Sequence, residues 1–473
     1  MTRERLTFGH AGHTPVPRRN VTAAPLDHEA RPMQLSRVEP WDWAWGGLLL
    51  FTVTAFFRPQ DQIPFLANSH LPQIFALVGL AALASRNLRR RRPLARITPE
   101  LVALILMGLV IGVGIPFSFW PGGAFGVFQT LYIPVLFVFL LMVNTMTSPK
   151  RIERIAWVII VALGYMSART CFDYMRGVNL MEGRAVGPVG GFFQNPNDLA
   201  LNLTSFVPLA LMYVKRPGPI LKRLFFAAIS VSMLAAIVFT KSRGGALGAL
   251  AMLVTFLLVA RVLTPATLIA GVVAGMLVLP AMPDGFWKRM EGITDAKKDD
   301  TGSREERRIL LQQGWTVFLE NPLTGIGAGQ FRNYWHPGLP KKWHEVHNVW
   351  LQAAAEIGIF GVLALAYLVM RGFSAVFWTR KRLMSRLRTR GRPRRDAEDG
   401  LTDEERLFLQ THAAAMIAAM VGWFVCALFA SVALNWTLYY LLGLCVTGRD
   451  LVRARAAAYA KARALAAQGA MAA

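Results

Sequence analysis

From Trp41 onward the chain alternates long apolar runs with short polar connections. The runs fall at approximately 41–57, 70–86, 99–119, 124–144, 154–172, 199–214, 224–240, 244–260, 264–282, 353–378, 409–429 and 432–448, each near the length that a hydrocarbon core of about 30 Å demands of a helix. This pattern predicts an all-α polytopic membrane protein with about 12 transmembrane helices, and it makes residues 41–448 one transmembrane domain. The connections around Gly244 and Ser431 are the tightest, because two apolar runs nearly meet there. Residues 1–40 are polar, contain prolines and six arginines, and show no short apolar core followed by a small-residue cleavage site. They read as a disordered basic cytoplasmic tail with no removable signal peptide evident, and 449–473 read as a cytoplasmic C-terminal tail.

Composition sharpens the class. Length alone would suggest about three soluble domains, but 54% hydrophobic residues and a positive mean hydropathy point to a membrane protein instead. With the N-terminus inside, an even number of crossings returns the C-terminus inside, and 36 of the 52 Lys and Arg residues then lie in cytoplasmic segments. That is the bias the positive-inside rule describes. The net charge of +24 is therefore explained by topology and attraction to anionic lipid. No nucleic-acid-binding motif accompanies the charge, so no nucleic-acid partner is expected. Cys171, Cys426 and Cys445 all fall in or beside apolar runs, with neither a disulfide framework nor metal-ligand spacing.

One long connection, 283–352, stands apart from the short ones. Between Pro283 and Val349 it holds 10 Lys and Arg against 9 Asp and Glu, so placement of charge matters more there than net charge. A connection this long is usually kept for function. Ser303 and Glu306 have capping-box spacing, which predicts a helix beginning at Arg304. On a helical wheel Arg304, Arg308, Leu311, Trp315 and Phe318 form one stripe, expected to be the buried side. Arginine forks beside a helix N-terminus suit phosphate, because unpaired N–H groups and the helix dipole favour an anion there. The competing reading is a solvated amphipathic helix whose arginines pair with neighbouring glutamates.

After this helix, Asn321-Pro322 and GIGAGQ break the pattern, and Tyr334, Trp335 and Trp343 suit either sugar stacking or a membrane-interface belt. His347 stands immediately before the next apolar helix, where an imidazole could accept a proton near neutrality; His336 and His344 compete for that role. Of the other outward pieces, 172–198 ends in GPVGGFFQNPNDLA, and Lys241-Ser242-Arg243 separates two apolar runs. An arginine at a membrane boundary is a functional candidate, with snorkelling to the headgroups as the alternative.

The segments FFQNPNDLA, SRGG, GSREERR, NPLTGIGAGQF and VHNVWLQAAAEIGIFG, in this order across residues 41–448, together resemble the O-antigen ligase and polymerase superfamily. The resemblance implies a GT-C-like, metal-independent membrane glycosyltransferase without cofactor, residing in the bacterial inner membrane. Its donor would be a glycan on undecaprenyl diphosphate and its active site would lie in a partly helical periplasmic loop. On matching positions it implies His347 as catalytic base and Arg243 and Arg304 as diphosphate ligands. Arg308 and Arg307 lie near enough to Arg304 on the wheel to assist, and Asn348, Asn195 and Asp198 belong to matching segments. The chemistry fits the residue types, since a sugar hydroxyl needs a base and a diphosphate leaving group needs its growing charge stabilised. The acceptor stays open among lipid A core, a growing glycan and a protein side chain. A lipid-linked saccharide flippase is the non-enzymatic alternative, and it would line a midplane path with charge.

Overall fold

A computed structural model of the chain describes residues 42–67, 69–265, 303–335, 345–384 and 400–472, with a few isolated positions inside 266–302. The tail 1–40, His336, His344 and nearly all of the apolar run expected at 264–282 lie outside the described residues. The architecture below is that of the compact unit Pro40–Ala473.

Among the described residues the fold is almost wholly helical. In chain order α1 is Trp43–Phe56, α2 Leu71–Arg89, α3 Pro99–Phe117, α4 Pro121–Thr145, α5 Pro149–Met175, α6 Pro196–Lys215, α7 Ile220–Phe239 and α8 Arg243–Val259. Then follow α9 (Ser303–Glu320), α10 (Val349–Met384), α11 (Asp403–Ala427) and α12 (Trp436–Ala472). A two-residue antiparallel hairpin, β1 (Leu180–Met181) with β2 (Arg184–Ala185), lies between α5 and α6. Seven of these helices, α2, α3, α4, α5, α7, α10 and α11, are long and apolar enough to cross a membrane; α1 and α8 are apolar but shorter. The chain is a multi-pass, all-α membrane protein.

Local sequence sets where helices begin. Pro99, Pro149 and Pro196 occupy first turns, where the missing N–H costs nothing. The preceding Thr98, Ser148 and Asn195 accept from the backbone N–H groups of Leu101, Arg151 and Asn197, and Ser242 does the same for Gly245 at the start of α8.

Helix α6 is the axis of the bundle, with every residue from Leu199 to Ala210 buried. A helix apolar on all faces is stable only when surrounded, and α5, α7, α8 and α11 surround it. Two of its polar residues bond within the bundle: Ser205 donates to the Leu201 carbonyl at 2.7 Å, and Asn202 accepts from the Thr437 hydroxyl of α12. Helix α8 approaches closely because it is glycine-lined; a Cβ on Gly245 would overlap Ala200, and one on Gly248 would overlap the sulfur of Cys426.

Ion pairs tie one end of the bundle. Glu100, fully buried, is held by Arg449 at 2.7 Å and Arg371 at 2.6 Å, and Asp450 bonds Arg449 and Arg96. Asp42 takes Arg151 at 2.8 Å and Arg86 at 3.3 Å. This is the end where the sequence concentrates Arg86–Arg96 and Lys150–Arg154. At the other end the connections 115–121, 176–195, 240–242 and 428–435 meet the described segments 321–335 and 345–348.

Candidate functional site

The site end is built on helix starts. Asn197, in the first turn of α6, accepts from Ser242 Oγ at 2.9 Å and from Arg184 Nη2 at 2.7 Å, and Arg184 Nε also donates to the Thr240 carbonyl. These bonds lock the head of α8 against the head of α6. Arg243 is the first residue of α8 and is half-buried, at a helix start whose dipole favours an anion. The side chain of Asn195 accepts from the Asn197 N–H at 2.8 Å, which makes it the N-cap of α6.

His347 is held from both sides. Val346 before it is fully buried, in a cluster with Leu310 and Val317 of α9 and Ala355 of α10. Asn348 after it caps α10, accepting from Trp350 and Leu351, and donates to the Leu428 carbonyl at 3.2 Å. His347 itself has φ of 57°, a left-handed conformation, and its N–H donates to Ser431 Oγ at 3.0 Å. Non-glycine residues seldom adopt that backbone, and surrounding structure must hold them there.

Two carboxyls that the sequence reading did not pair meet beside Ser431. Burial raises the pKa of Glu345, while the positive charge of Arg332 and the nearby Ser431 side chain act against the rise. Asp198, half-buried in the first turn of α6, is pushed up to about 8, first by burial and then by the Glu345 carboxylate. The loop carrying Ser431 also reaches α8, since a Cβ on Gly244 would lie 2.8 Å from that of Phe429. Arg243, Asp198, Glu345 and His347 therefore converge from four separate stretches of chain around 428–431.

Helix α9 starts at Ser303, one residue before the expected Arg304, and the side chains of Ser303 and Arg304 lie outside the described residues. The expected buried stripe is corrected. Leu310, Gln313, Gly314 and Val317 face inward, with Gly314 seated against Val346 and Leu351. Leu311 and Trp315 are exposed, and Arg308 has 78% of its side chain exposed, 3.8 Å from Glu305. Arg307, one turn before Leu310, is half-buried and lies on the inward side. The wheel misled because Leu, Trp and Phe mark a face that avoids water, and lipid satisfies that preference as well as protein does.

The glycine turn 321–331 docks on a break in α10. Gly358 has φ of 73°, and a Cβ there would overlap the Leu323 carbonyl. The Ile326 and Gly327 N–H groups donate to the Ala355 and Glu356 carbonyls at 2.9 and 3.0 Å. The buried carboxylate of Glu356 accepts from the N–H groups of Gly329 (2.9 Å) and Phe331 (3.1 Å) and from Gln352 Nε2 (3.1 Å). This clamp sets the following turn, which carries Arg332 towards Glu345.

Among the described residues no group of three or more His, Cys, Asp or Glu side chains is placed to hold a metal ion. Residues 228–366 match the family model described as O-antigen ligase. This match supports the resemblance to the O-antigen ligase superfamily. The O-antigen ligase match runs from α7 through α9 and into α10, so it includes Arg243, Arg304, Arg307, Arg308, Glu345, His347, Asn348 and Glu356. Asn195, Asp198 and Ser431 lie outside it, brought to the matched segment by tertiary packing. The superfamily is of the membrane glycosyltransferase type, with lipid-linked glycans as substrates. No curated protein matches the chain.

Glu345 and Ser431 were missed in the sequence. Glu345 sits two residues before His347, a spacing with no general meaning, and Ser431 is one of the residues in a short connection between two apolar runs.

Proposed function

We propose that this protein is a membrane glycosyltransferase of the O-antigen ligase type, transferring a glycan from undecaprenyl diphosphate to an acceptor hydroxyl on the periplasmic face of the inner membrane. The observation that carries the reading is the convergence of His347 with the arginine-headed start of α8, inside a chain that resembles this superfamily. The acceptor oxygen attacks the anomeric carbon and gives its proton to His347. The bond from that carbon to the diphosphate breaks, and undecaprenyl diphosphate leaves with the electron pair. Arg243 and the N-terminus of α8 stabilise the charge on the leaving diphosphate, with Arg304 and Arg307 contributing from α9. A single displacement inverts the anomeric configuration, and the scheme uses no metal or cofactor. Arg308 is the weakest member of the proposed set, because its side chain faces outward.

Both termini lie in the cytoplasm in this reading, with 1–40 and 449–473 as tails and the loop 283–352 outside. The end bearing Glu100, Asp42 and their arginines is then the cytoplasmic one. Lipid A core, a growing repeat-unit chain and a protein hydroxyl are the candidate acceptors.

The test uses the detergent-purified full chain, lipid-linked glycan extracted from producing cells, and acceptor from the same membranes. Transfer proceeds with wild type and is lost in His347→Ala, a general base being worth about 10²–10⁴-fold. Arg243→Ala weakens donor binding. Undiminished transfer by His347→Ala refutes the base assignment, and a protein that moves the lipid-linked glycan between two compartments without forming product is a flippase. A ladder of glycan lengths identifies a polymerase rather than a ligase.

A further inference from the structure

We propose that α9 is a membrane-interface helix. Its outward face, Leu311, Trp315 and Leu319 followed by Leu323, sits in the leaflet at the site end of the bundle, and its partner is the acyl region of that leaflet.

The face is built by helical spacing. Leu311, Trp315 and Leu319 recur every four residues and so stand one above another on α9. Trp315 is 55% exposed and Leu319 58%, and Leu323, just past the helix, is 61% exposed. The opposite side, with Leu310, Gly314 and Val317, is buried against the lead-in to α10. Towards the helix start the outward side turns polar, where exposed Glu305 and Arg308 lie 3.8 Å apart. A face charged at one end and apolar at the other fits a helix whose far end enters lipid.

The depth of that end follows from α3 and α10, which pack side by side. Glu100 of α3 bonds Arg371 of α10 at 2.6 Å, within the ion cluster that ties the opposite end of the bundle. Further along, both helices abut the turn after α9. A Cβ on Gly114 would stand 3.4 Å from the Thr324 carbonyl oxygen, one on Gly358 would overlap the Leu323 carbonyl, and the Ile359 N–H donates to the Pro322 carbonyl at 2.8 Å. Gly114 comes fourteen residues after Glu100, and Gly358 thirteen before Arg371. At the rise of an α-helix either separation puts the turn about 20 Å from the ion cluster, which is less than the hydrocarbon thickness of about 30 Å. Two helices give the same height.

From the turn α9 climbs away from the cluster, because Gly314 packs against Leu351, seven residues before Gly358 on α10. Leu319 therefore lies below the hydrocarbon edge and Trp315 close to it, the level that tryptophan favours. Exposed apolar side chains continue past the level of Gly114 at Phe117, Phe119 and Trp120, and on α10 they begin again at Phe360 and Leu363. The lipid-facing surface of these two crossing helices thus runs on through Leu323 to Leu319 and Trp315. A second copy of the chain is the poorer occupant at this depth, since lipid tails are as apolar as leucine and leave no hydrophobic gain for association.

The experiment places a nitroxide side chain at Trp315→Cys and at Leu319→Cys, with Leu363→Cys as the lipid reference and Arg308→Cys as the water reference. The full chain carries Cys171→Ala, Cys426→Ala and Cys445→Ala and is reconstituted in vesicles of phosphatidylethanolamine and phosphatidylglycerol. Relaxation by dissolved oxygen reports lipid, and relaxation by a water-soluble nickel chelate reports water. The oxygen-to-nickel ratio at position 319 approaches that at 363 and exceeds that at 308 several-fold, with position 315 between them. Equal ratios at 319 and 308 overturn the proposal. So does low access to both reagents at 315 and 319, which marks a protein contact, or spin–spin broadening there that disappears on dilution with unlabelled chain, which marks a second copy. If the cysteine-free chain does not fold, wild type and Trp315→Phe are compared in vesicles whose phospholipid is brominated on its acyl chains. Trp315→Phe then removes a quenched part of the tryptophan emission; removal of an unquenched part overturns the proposal. None of these measurements involves glycosyl transfer, so neither result bears on the assignment of His347.

Discussion

Removing the Glu356 carboxylate tests whether the glycine turn is held by this one side chain. Its two oxygens take three donors: the N–H of Gly329 at one oxygen, and the Phe331 N–H with Gln352 Nε2 at the other. Glu356 is 5% exposed, so water cannot replace it at those donors. In Glu356→Ala two backbone N–H groups lose their acceptor, at about 1–3 kcal/mol each, or about 2–6 kcal/mol together before any cavity is counted. Glu356→Gln keeps one acceptor oxygen and turns an NH₂ towards the other donor, so one bond is lost and the cost is about 1–3 kcal/mol. Gln352→Ala removes one neutral donor and costs about 1 kcal/mol. The expected order of stability is wild type, Gln352→Ala, Glu356→Gln, Glu356→Ala. It is measured as the half-life of the folded detergent-solubilised chain at a fixed temperature, because large membrane proteins unfold irreversibly. Transfer falls in the same order, since the turn delivers Arg332 to Glu345. A Glu356→Ala protein as long-lived as Gln352→Ala would show that the turn is held by its backbone bonds to Ala355 and Glu356 and that the carboxylate adds nothing.

Four further outcomes follow from particular contacts. Gly358→Ala puts a side chain into a backbone region used almost only by glycine and against the Leu323 carbonyl, so it shortens the folded half-life by the equivalent of about 1–3 kcal/mol or more. Gly248→Ala overpacks the α8–α11 contact and costs about 1–3 kcal/mol, and combining it with Cys426→Ala recovers most of that, which a double-mutant cycle reads directly. Glu100→Ala strands Arg371 and Arg449 and costs about 3–5 kcal/mol, seen as loss of folded protein in the membrane, whereas Arg96→Ala removes a half-exposed partner and costs less than about 1 kcal/mol. Asp198 carries a pH signature. Its pKa rises from 3.8 unfolded to about 8 folded, so over that window the folded state holds a proton that the unfolded state has released. Stability therefore falls as pH rises from about 4 to about 8 and then levels off, and Asp198→Asn removes that part of the slope; an unchanged stability–pH curve in the Asn variant would contradict the assignment.

The helices were legible because lipid allows so few alternatives. A long apolar run must satisfy its own backbone, so apolar length alone forecast α2, α3, α4, α5, α7, α10 and α11, with ends up to six residues off. The caps at Thr98, Ser148 and Asn195 set the actual starts, and the runs expected to begin at 154 and 199 left out the first turns that these caps add at Pro149 and Pro196. Short motifs pointed to the superfamily for the same reason: each is a local backbone device. The face of α9 was not legible. Its apolar stripe marks avoidance of water, and only contact with Val346 and Leu351 shows that Gly314 lies inward while Trp315 lies outward.

What the sequence alone determined is therefore everything governed by neighbours along the chain: which runs are helices, where they start, and which segments carry His347, Arg243 and the arginines of α9. What the tertiary structure decided is which of these meet. Asp198, Glu345 and Ser431 are spread over more than two hundred residues of chain and share no motif, and they come together because the start of α6, the lead-in to α10 and the connection after α11 meet at one end of the bundle. Hydrogen bonds and charge act over a few ångströms of space, and no periodicity in the chain records that distance.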